Sequence, residues 1–258
     1  MQPHEQIAAA LRSGARGGEP ALVAFLTAGY PQRAQFREQL AAVAAAADVV
    51  EIGVPFTDPM ADGMTIQRSS REALRQGVSL QWILDELRAM PRPKAPLLLM
   101  SYLNPLLNYG YEKLAVAALA AGISGFIVPD LPLDESAALR AALDPHGIAL
   151  VQMVTPVTPP ERLQRLCSAS RGFVYAVTMT GTTGKNVAMP KDTLAYLGRV
   201  RAAASVPVCA GFGIRSREQV EALRGAVDGV IVGSALVEVL ERGEPAQAWL
   251  TALRTASR

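Results

Sequence analysis

Histidine, cysteine and lysine are scarce in this 258-residue chain, and each shortage removes a kind of chemistry. The two histidines are His4, in the N-terminal segment, and His146, in an Asp-Pro-His-Gly turn. Neither ends an apolar run, which disfavours imidazole acid/base work and metal ligation. The two cysteines, Cys167 and Cys209, lack metal-ligand spacing and lie in helical or apolar contexts. They read as reduced core thiols of a cytoplasmic protein. The four lysines, Lys94, Lys113, Lys185 and Lys191, fall in loops or helical stretches, so none projects from a strand as a Schiff-base nucleophile would. Charge of one sign is also missing in bulk: 25 basic and 23 acidic residues are spread without runs, which leaves no footprint for nucleic acid or an anionic membrane. The longest uncharged stretches, 95–111 and 114–129, are broken by Asn104, Pro105 and Asn108 or by Gly122 and Gly125, and fall short of a bilayer span. The first residues, Met1-Gln2-Pro3-His4-Glu5, have no basic segment leading into an apolar one, so no secretory signal is visible.

What is present is an apolar half of the sequence, carried by Ala, Leu and Val with only 5% aromatics, which suits small-residue packing between helices and strands. Short apolar runs at 22–27, 49–54, 97–102, 125–128, 149–155, 173–178, 206–210 and 229–232 alternate with stretches of helical period, such as 35–47, 114–121, 135–143, 161–169, 193–204 and 218–223. Strand then helix, repeated eight times, predicts an α/β fold: a single (β/α)8 TIM barrel over residues 1–258, with an N-terminal helix. The excursion after the second strand holds two more helical patterns, 66–76 and 80–90. Ser216 with Gln219 forms a capping box, and Asp134 and Thr158-Pro159-Pro160-Glu161 read as helix starts.

In such a barrel the reacting groups sit where strands end. The second run, Val49-Val50-Glu51-Ile52-Gly53-Val54, places a carboxylate inside an otherwise apolar strand. Glu51 and Gly53 share a parity opposite to Val50, Ile52 and Val54; those three can face helices while Glu51 turns into the barrel beside a residue without a side chain. Burial there demands a partner or a raised pKa. Asp62, in Ala-Asp-Gly on the following loop, is a second carboxylate candidate and equally a turn or helix-cap residue. Asp130, ending the fourth strand, is a third candidate or a turn former. With imine and metal routes disfavoured, carboxylate acid/base catalysis remains.

Glycines mark the later strand ends: Gly181-Thr182-Thr183-Gly184, Gly211-Phe212-Gly213-Ile214 and Gly233-Ser234-Ala235. Backbone N–H groups and a helix N-terminus at those turns suit a phosphorylated substrate, bound through amides and the Ser234 hydroxyl with Arg215 as a rim charge; tight turns alone are the plainer alternative.

Taken together, Phe-Leu-Thr-Ala-Gly-Tyr-Pro at 25–31, Pro-Phe-Thr-Asp-Pro-Met-Ala-Asp-Gly at 55–63, Ile-Val-Pro-Asp-Leu-Pro at 127–132, Thr-Gly-Thr-Thr-Gly at 180–184, Gly-Phe-Gly-Ile at 211–214 and Val-Gly-Ser-Ala at 232–235 resemble the tryptophan synthase alpha subunit family. The resemblance implies retro-aldol cleavage of indole-3-glycerol phosphate to indole and glyceraldehyde 3-phosphate. It casts Glu51 as the general acid/base and Asp62 as the acceptor of the indole N–H. Tyr175 would lie near the glycerol, Thr183 would close over the site, and Gly184, Gly213, Gly233 and Ser234 would meet the phosphate. Phe25, Met100, Ile127 and Phe212 would line the indole slot, although strand apolars pack into a core regardless. The resemblance further implies no cofactor in this chain and an α2β2 complex with a pyridoxal-phosphate β subunit, faced by Asp58, Pro59, Asn104 and Asn108. The chain departs from the family pattern at Met64, where Pro is usual, at Tyr30, where Asp is common, and in the Thr182-Thr183-Gly184-Lys185-Asn186 loop. Competing readings are a phosphate-binding isomerase or an enzyme that forms indole-glycerol phosphate, and a barrel that only activates a partner.

Overall fold

Eight parallel strands close in chain order: β1 (Ala21–Thr27), β2 (Val49–Gly53), β3 (Leu97–Met100), β4 (Ile123–Ile127), β5 (Ala149–Val154), β6 (Val174–Val177), β7 (Val208–Gly211) and β8 (Gly229–Val232), with β8 pairing back onto β1. This is the (β/α)8 barrel expected from the sequence. The computed structural model describes residues 1–15, 18–178, 192–211 and 213–254. The sequence expectations at Thr183, Gly184 and Phe212 lie outside those residues. Among the described residues, no helix is long and apolar enough to cross a membrane.

The helices are α1 (Pro3–Gly14), α2 (Phe36–Ala44), α3 (Met64–Arg75), α4 (Leu80–Arg88), α5 (Leu103–Tyr109), α6 (Tyr111–Ala120), α7 (Ala137–Leu143), α8 (Pro160–Ala169), α9 (Thr193–Ala203), α10 (Arg217–Glu221), α11 (Ser234–Glu241) and α12 (Ala246–Leu253). The two helices after β2 are α3 and α4, as the periodicity indicates. The Ser216 capping box opens α10 and Pro160 opens α8. Asp134 instead lies in a 3-10 turn, Leu133–Glu135, ahead of α7. Helices α5 and α11 escape periodicity for separate reasons. In α5, Pro105 sits in the first turn, where its missing N–H costs nothing. In α11, five of eight residues, Ala235, Leu236, Val237, Val239 and Leu240, are buried, so the polar stripe of Ser234, Glu238 and Glu241 is narrow and the stretch too short for the period to stand out.

Strand parity divides the core in two. Val50, Ile52 and Val54 join the layer between barrel and helices, whereas Val49, Leu98, Phe173, Tyr175, Cys209 and Ile231 fill the barrel interior. The interior is stoppered at its lower end by α1, whose Ile7 and Leu11 are fully buried there. Gly229 makes that approach possible, because a Cβ on it would lie 2.7 Å from Cys209 Sγ and 3.2 Å from Leu11 Cδ2. Both cysteines are buried and unbridged.

Leu11→Ala is expected to lower unfolding free energy by about 2–5 kcal/mol, since truncating a fully buried leucine leaves a cavity among its packed neighbours. Equilibrium urea unfolding measures this; a loss under about 1 kcal/mol would show that α1 does not close the barrel.

Candidate active site

At the opposite end, the strands deliver side chains into a cavity of about 590 Å³. Phe25 on β1, Glu51 on β2, Met100 on β3, Tyr175 on β6 and Ile231 on β8 form its floor and sides. The β1–β2 register pairs Phe25 with Glu51 and Thr27 with Gly53, which puts Phe25 and Glu51 on the same inward face. Gly53 gives Phe25 its room: a Cβ there would lie 2.5 Å from Phe25 Cζ. The glycine two residues past Glu51 therefore makes space for an aromatic wall.

Glu51 is 1% exposed, and among the described residues its Oε2 has no hydrogen-bond partner. Desolvation raises its pKa from an ordinary 4.5 to about 8, with the nearby Asp62 charge pushing the same way. Asp62 also lines the cavity, on the loop between β2 and α3. Burial raises it from 3.8 to about 6, while a hydrogen bond from Tyr102 pulls it down. Near pH 7 the pair thus divides into a Glu51 that holds its proton and an Asp62 that has lost it. Two carboxyls facing one cavity with pKa values pushed apart can give and take protons in the same turnover.

The Asp62 loop is pinned by its own turn and by β3. Asp62 N donates to Pro59 O at 3.0 Å, and Gln67 Nε2 donates to Asp62 O at 2.8 Å. Tyr102, just past β3, accepts from Ala61 N at 2.9 Å and donates to Asp62 Oδ2 at 3.1 Å, while its ring stacks on Phe56. Gly63 caps α3, so Met64 occupies the first helical position, a place where Pro fits without loss of a hydrogen bond. The departure at Met64 is therefore compatible with the same loop geometry. Tyr102 was missed in the sequence, where it reads only as the end of a strand.

Of the other expected site residues, Gly213, Gly233 and Ser234 meet on the cavity wall beside Phe25, Met100 and Tyr175. Gly233 precedes α11 and Ser234 is its first residue, so the free N–H groups of the first turn open toward the cavity side of the barrel. Ile127 does not share that wall: it is fully buried in the interior layer, one strand over from Met100. Asp130 is spent as a cap, its Oδ1 accepting from Leu103 N at 2.9 Å at the start of α5. Arg215 lies on the rim, as the sequence suggested, together with Arg68, Glu238 and Glu241, which periodicity does not reveal. Among the described residues, no three His, Cys, Asp or Glu side chains converge as metal ligands would.

Two measurements test these electrostatics. Because Glu51 is raised, the folded chain keeps a proton that the unfolded chain releases, so its contribution to stability falls as pH climbs from 4.5 to about 8 and then levels. Glu51→Gln should flatten that decline and leave the variant more stable than wild type by a few kcal/mol at pH 8.5, with the gap closing toward pH 4.5. Denaturant unfolding at both pH values decides it, and parallel pH dependence in the two proteins would contradict the assignment. Separately, Tyr102→Phe removes a donor that favours the Asp62 anion, so the Asp62 pKa should move upward from about 6 in a carbon-13 carboxyl titration. A value unchanged or lower means that the phenol does not hold this carboxylate.

The family profile described as Tryptophan synthase alpha chain matches residues 11–256. The chain is similar to the tryptophan synthase alpha chain of Nitratidesulfovibrio vulgaris (strain DP4), 44% identical over 244 residues that cover 94% of this chain and 95% of that protein. It is similar also to that of Geobacter sulfurreducens, 41% identical over 244 residues covering 92% of each. Among solved structures, Mycobacterium tuberculosis tryptophan synthase in space group F222 superposes with a TM-score of 0.88 at 37% identity, covering 96% of both chains. Likeness over nearly the whole length, in sequence and in backbone, joins a barrel that carries two carboxyls at one cavity, and the chain belongs to the tryptophan synthase alpha chain family.

Proposed function

We propose that this chain cleaves indole-3-glycerol phosphate to indole and glyceraldehyde 3-phosphate by carboxylate acid/base catalysis, as a step of tryptophan biosynthesis in the cytoplasm. The observation that carries the mechanism is the pair Glu51 and Asp62 at one cavity, one carboxyl protonated and the other ionised near neutrality. An ordinary retro-aldol needs an imine or a metal to receive the electrons of the breaking C–C bond. Here the substrate supplies its own acceptor: protonation at indole C3 turns the ring into an indoleninium cation. Removal of the proton from the glycerol hydroxyl then sends electrons through the breaking bond into that cation and releases the aldehyde.

One proton enters at carbon and one leaves from oxygen, so a single carboxyl can serve both steps. Glu51 takes that role, starting protonated. Asp62, anionic and anchored by Tyr102, accepts the indole N–H and stabilises the positive charge that grows there. Phe25, Met100 and Ile231 supply an apolar wall for the ring, and Tyr175 stands beside Glu51 near the glycerol. Gly213, Gly233 and Ser234 seat the phosphate through backbone N–H groups and a hydroxyl. The volume suits a ligand of this size.

Indole is uncharged and of value only if it is used, and the chain works with a β subunit in an α2β2 complex; pyridoxal phosphate belongs to that subunit. Met60, on the Asp62 loop, and Met64, at the start of α3 that follows it, stand 80% and 71% exposed. Apolar side chains so placed suit a loop that a partner covers.

The purified chain should release indole from indole-3-glycerol phosphate slowly, and faster once a β subunit is added. Glu51→Gln should reduce that release at least ~10²-fold. Indole formation at wild-type rate by the Gln variant would remove Glu51 from the mechanism.

A further inference from the structure

We infer that Arg215 is a ligand of the substrate phosphate, and that Glu238 holds it in the empty site and competes with the phosphate for it. The inference rests on Gly213, Gly233 and Ser234 being the phosphate seat. Arg215 lies two residues past Gly213 and shares the cavity wall with all three. Its backbone is fixed, since Arg215 N donates to Gln219 Oε1 at 2.7 Å, at the start of α10. The side chain is therefore the free variable, and its guanidinium donates to Glu238 Oε2.

Position makes this pair different from the rest of the rim. Glu238 and Ser234 are four residues apart on α11, hence on one helix face, and both line the cavity. A phosphate dianion seated on Ser234 would look directly at the Glu238 carboxylate. Unscreened, that contact is repulsive at close range, and both side chains are sheltered enough for the repulsion to be felt, at 29% exposure for Arg215 and 17% for Glu238. A guanidinium between them removes the repulsion, and its planar fork of donors fits phosphate oxygens. Glu238 does not lose all support when Arg215 turns toward the ligand, because its Oε1 still accepts from Thr65 Oγ1 at 3.1 Å. By contrast, Arg68 is paired 2.5 Å from Glu241 and Arg242 is paired 2.5 Å from Glu244, both at exposed positions.

An ion pair that serves only as a structural strut and one that exchanges its cation with a ligand predict opposite results. For a strut, loss of either partner loosens the phosphate seat and weakens binding. For an exchanged cation, Arg215→Ala weakens phosphate binding whereas Glu238→Gln tightens it, because the competing acceptor is weakened and its charge is gone.

The test is calorimetric titration of the full chain with glycerol 3-phosphate, and in parallel with indole, alongside the indole-release assay. Arg215→Ala should weaken glycerol 3-phosphate about tenfold, the scale of one charge-assisted contact, and raise KM for indole-3-glycerol phosphate more than it lowers kcat. Glu238→Gln should tighten the same titration, and Arg215→Lys should fall between Ala and wild type. Indole affinity should not follow these changes. Unchanged glycerol 3-phosphate affinity in Arg215→Ala, weakening in both variants, or no binding by wild type would each overturn the inference. Failure of the wild type to release indole, with the opposite shifts in phosphate affinity intact, would instead count against the proposed reaction and leave Arg215 in place.

Discussion

The burial of the Glu51 carboxyl is the constraint on which the rest of the site depends. Inside a barrel whose neighbouring layers are aliphatic and aromatic, water cannot solvate the anion, and among the described residues no donor reaches its Oε2. The proton then stays on past neutrality. A salt bridge would have lowered the energetic penalty and, with it, the pKa, leaving an anion with nothing to give at pH 7. The apolar packing that stabilises the barrel is thus also what arms the acid, and the penalty is carried by a scaffold with core to spare.

Asp62 solves the opposite problem. The proposed reaction needs it as an anion, and it sits on a loop at the mouth of the same cavity, half-buried, with a phenol donating to it. Tyr102 donates to the carboxylate while accepting from the Ala61 N–H, which ties the rotamer and the loop backbone to one atom. A strand-borne carboxyl and a loop-borne carboxylate differ in stiffness as well as in charge. In the proposed reaction the strand fixes where the proton leaves, and the loop, bracketed by a turn at Pro59 and the start of α3, sets where the positive charge is met.

How much of this could be read in the sequence depended on whether a residue acts through its chain neighbours or across the fold. Strand parity in 49–54 was sufficient to send Glu51 inward and Val50 and Ile52 outward, because period-two alternation is local. The glycine turns before α10 and α11 were legible for the same reason. Tyr102 was not: its value comes from a contact across 40 residues of chain, and nothing in Ser-Tyr-Leu-Asn announces it. Ile127 shows the converse limit. Its neighbour across the sheet, Met100, reaches the cavity and Ile127 does not, since a strand pattern gives the face of a side chain but not its height along the barrel axis. Gly53 was legible as roomy, yet what fills the room is Phe25 from another strand.

The charges at the rim follow from the same geometry. A barrel of this kind gathers helix starts and strand ends on one side, so α3 and α11, far apart in sequence, lie side by side there with Thr65 and Arg68 facing Glu238 and Glu241. The first residues of α3 follow the Asp62 loop and the first residues of α11 are the Gly233-Ser234 turn. Contacts between these two helices therefore connect the loop of the carboxylate proposed to meet the ring with the turn proposed to hold the phosphate. Glu238 is the junction, bonded to Thr65 on one side and to Arg215 on the other. If phosphate occupies the proposed seat and draws Arg215 away, Glu238 keeps its bond to Thr65, on the helix that begins one residue after Gly63. On the proposed reading, Glu238 thus stands between the phosphate seat and the helix that follows the Asp62 loop.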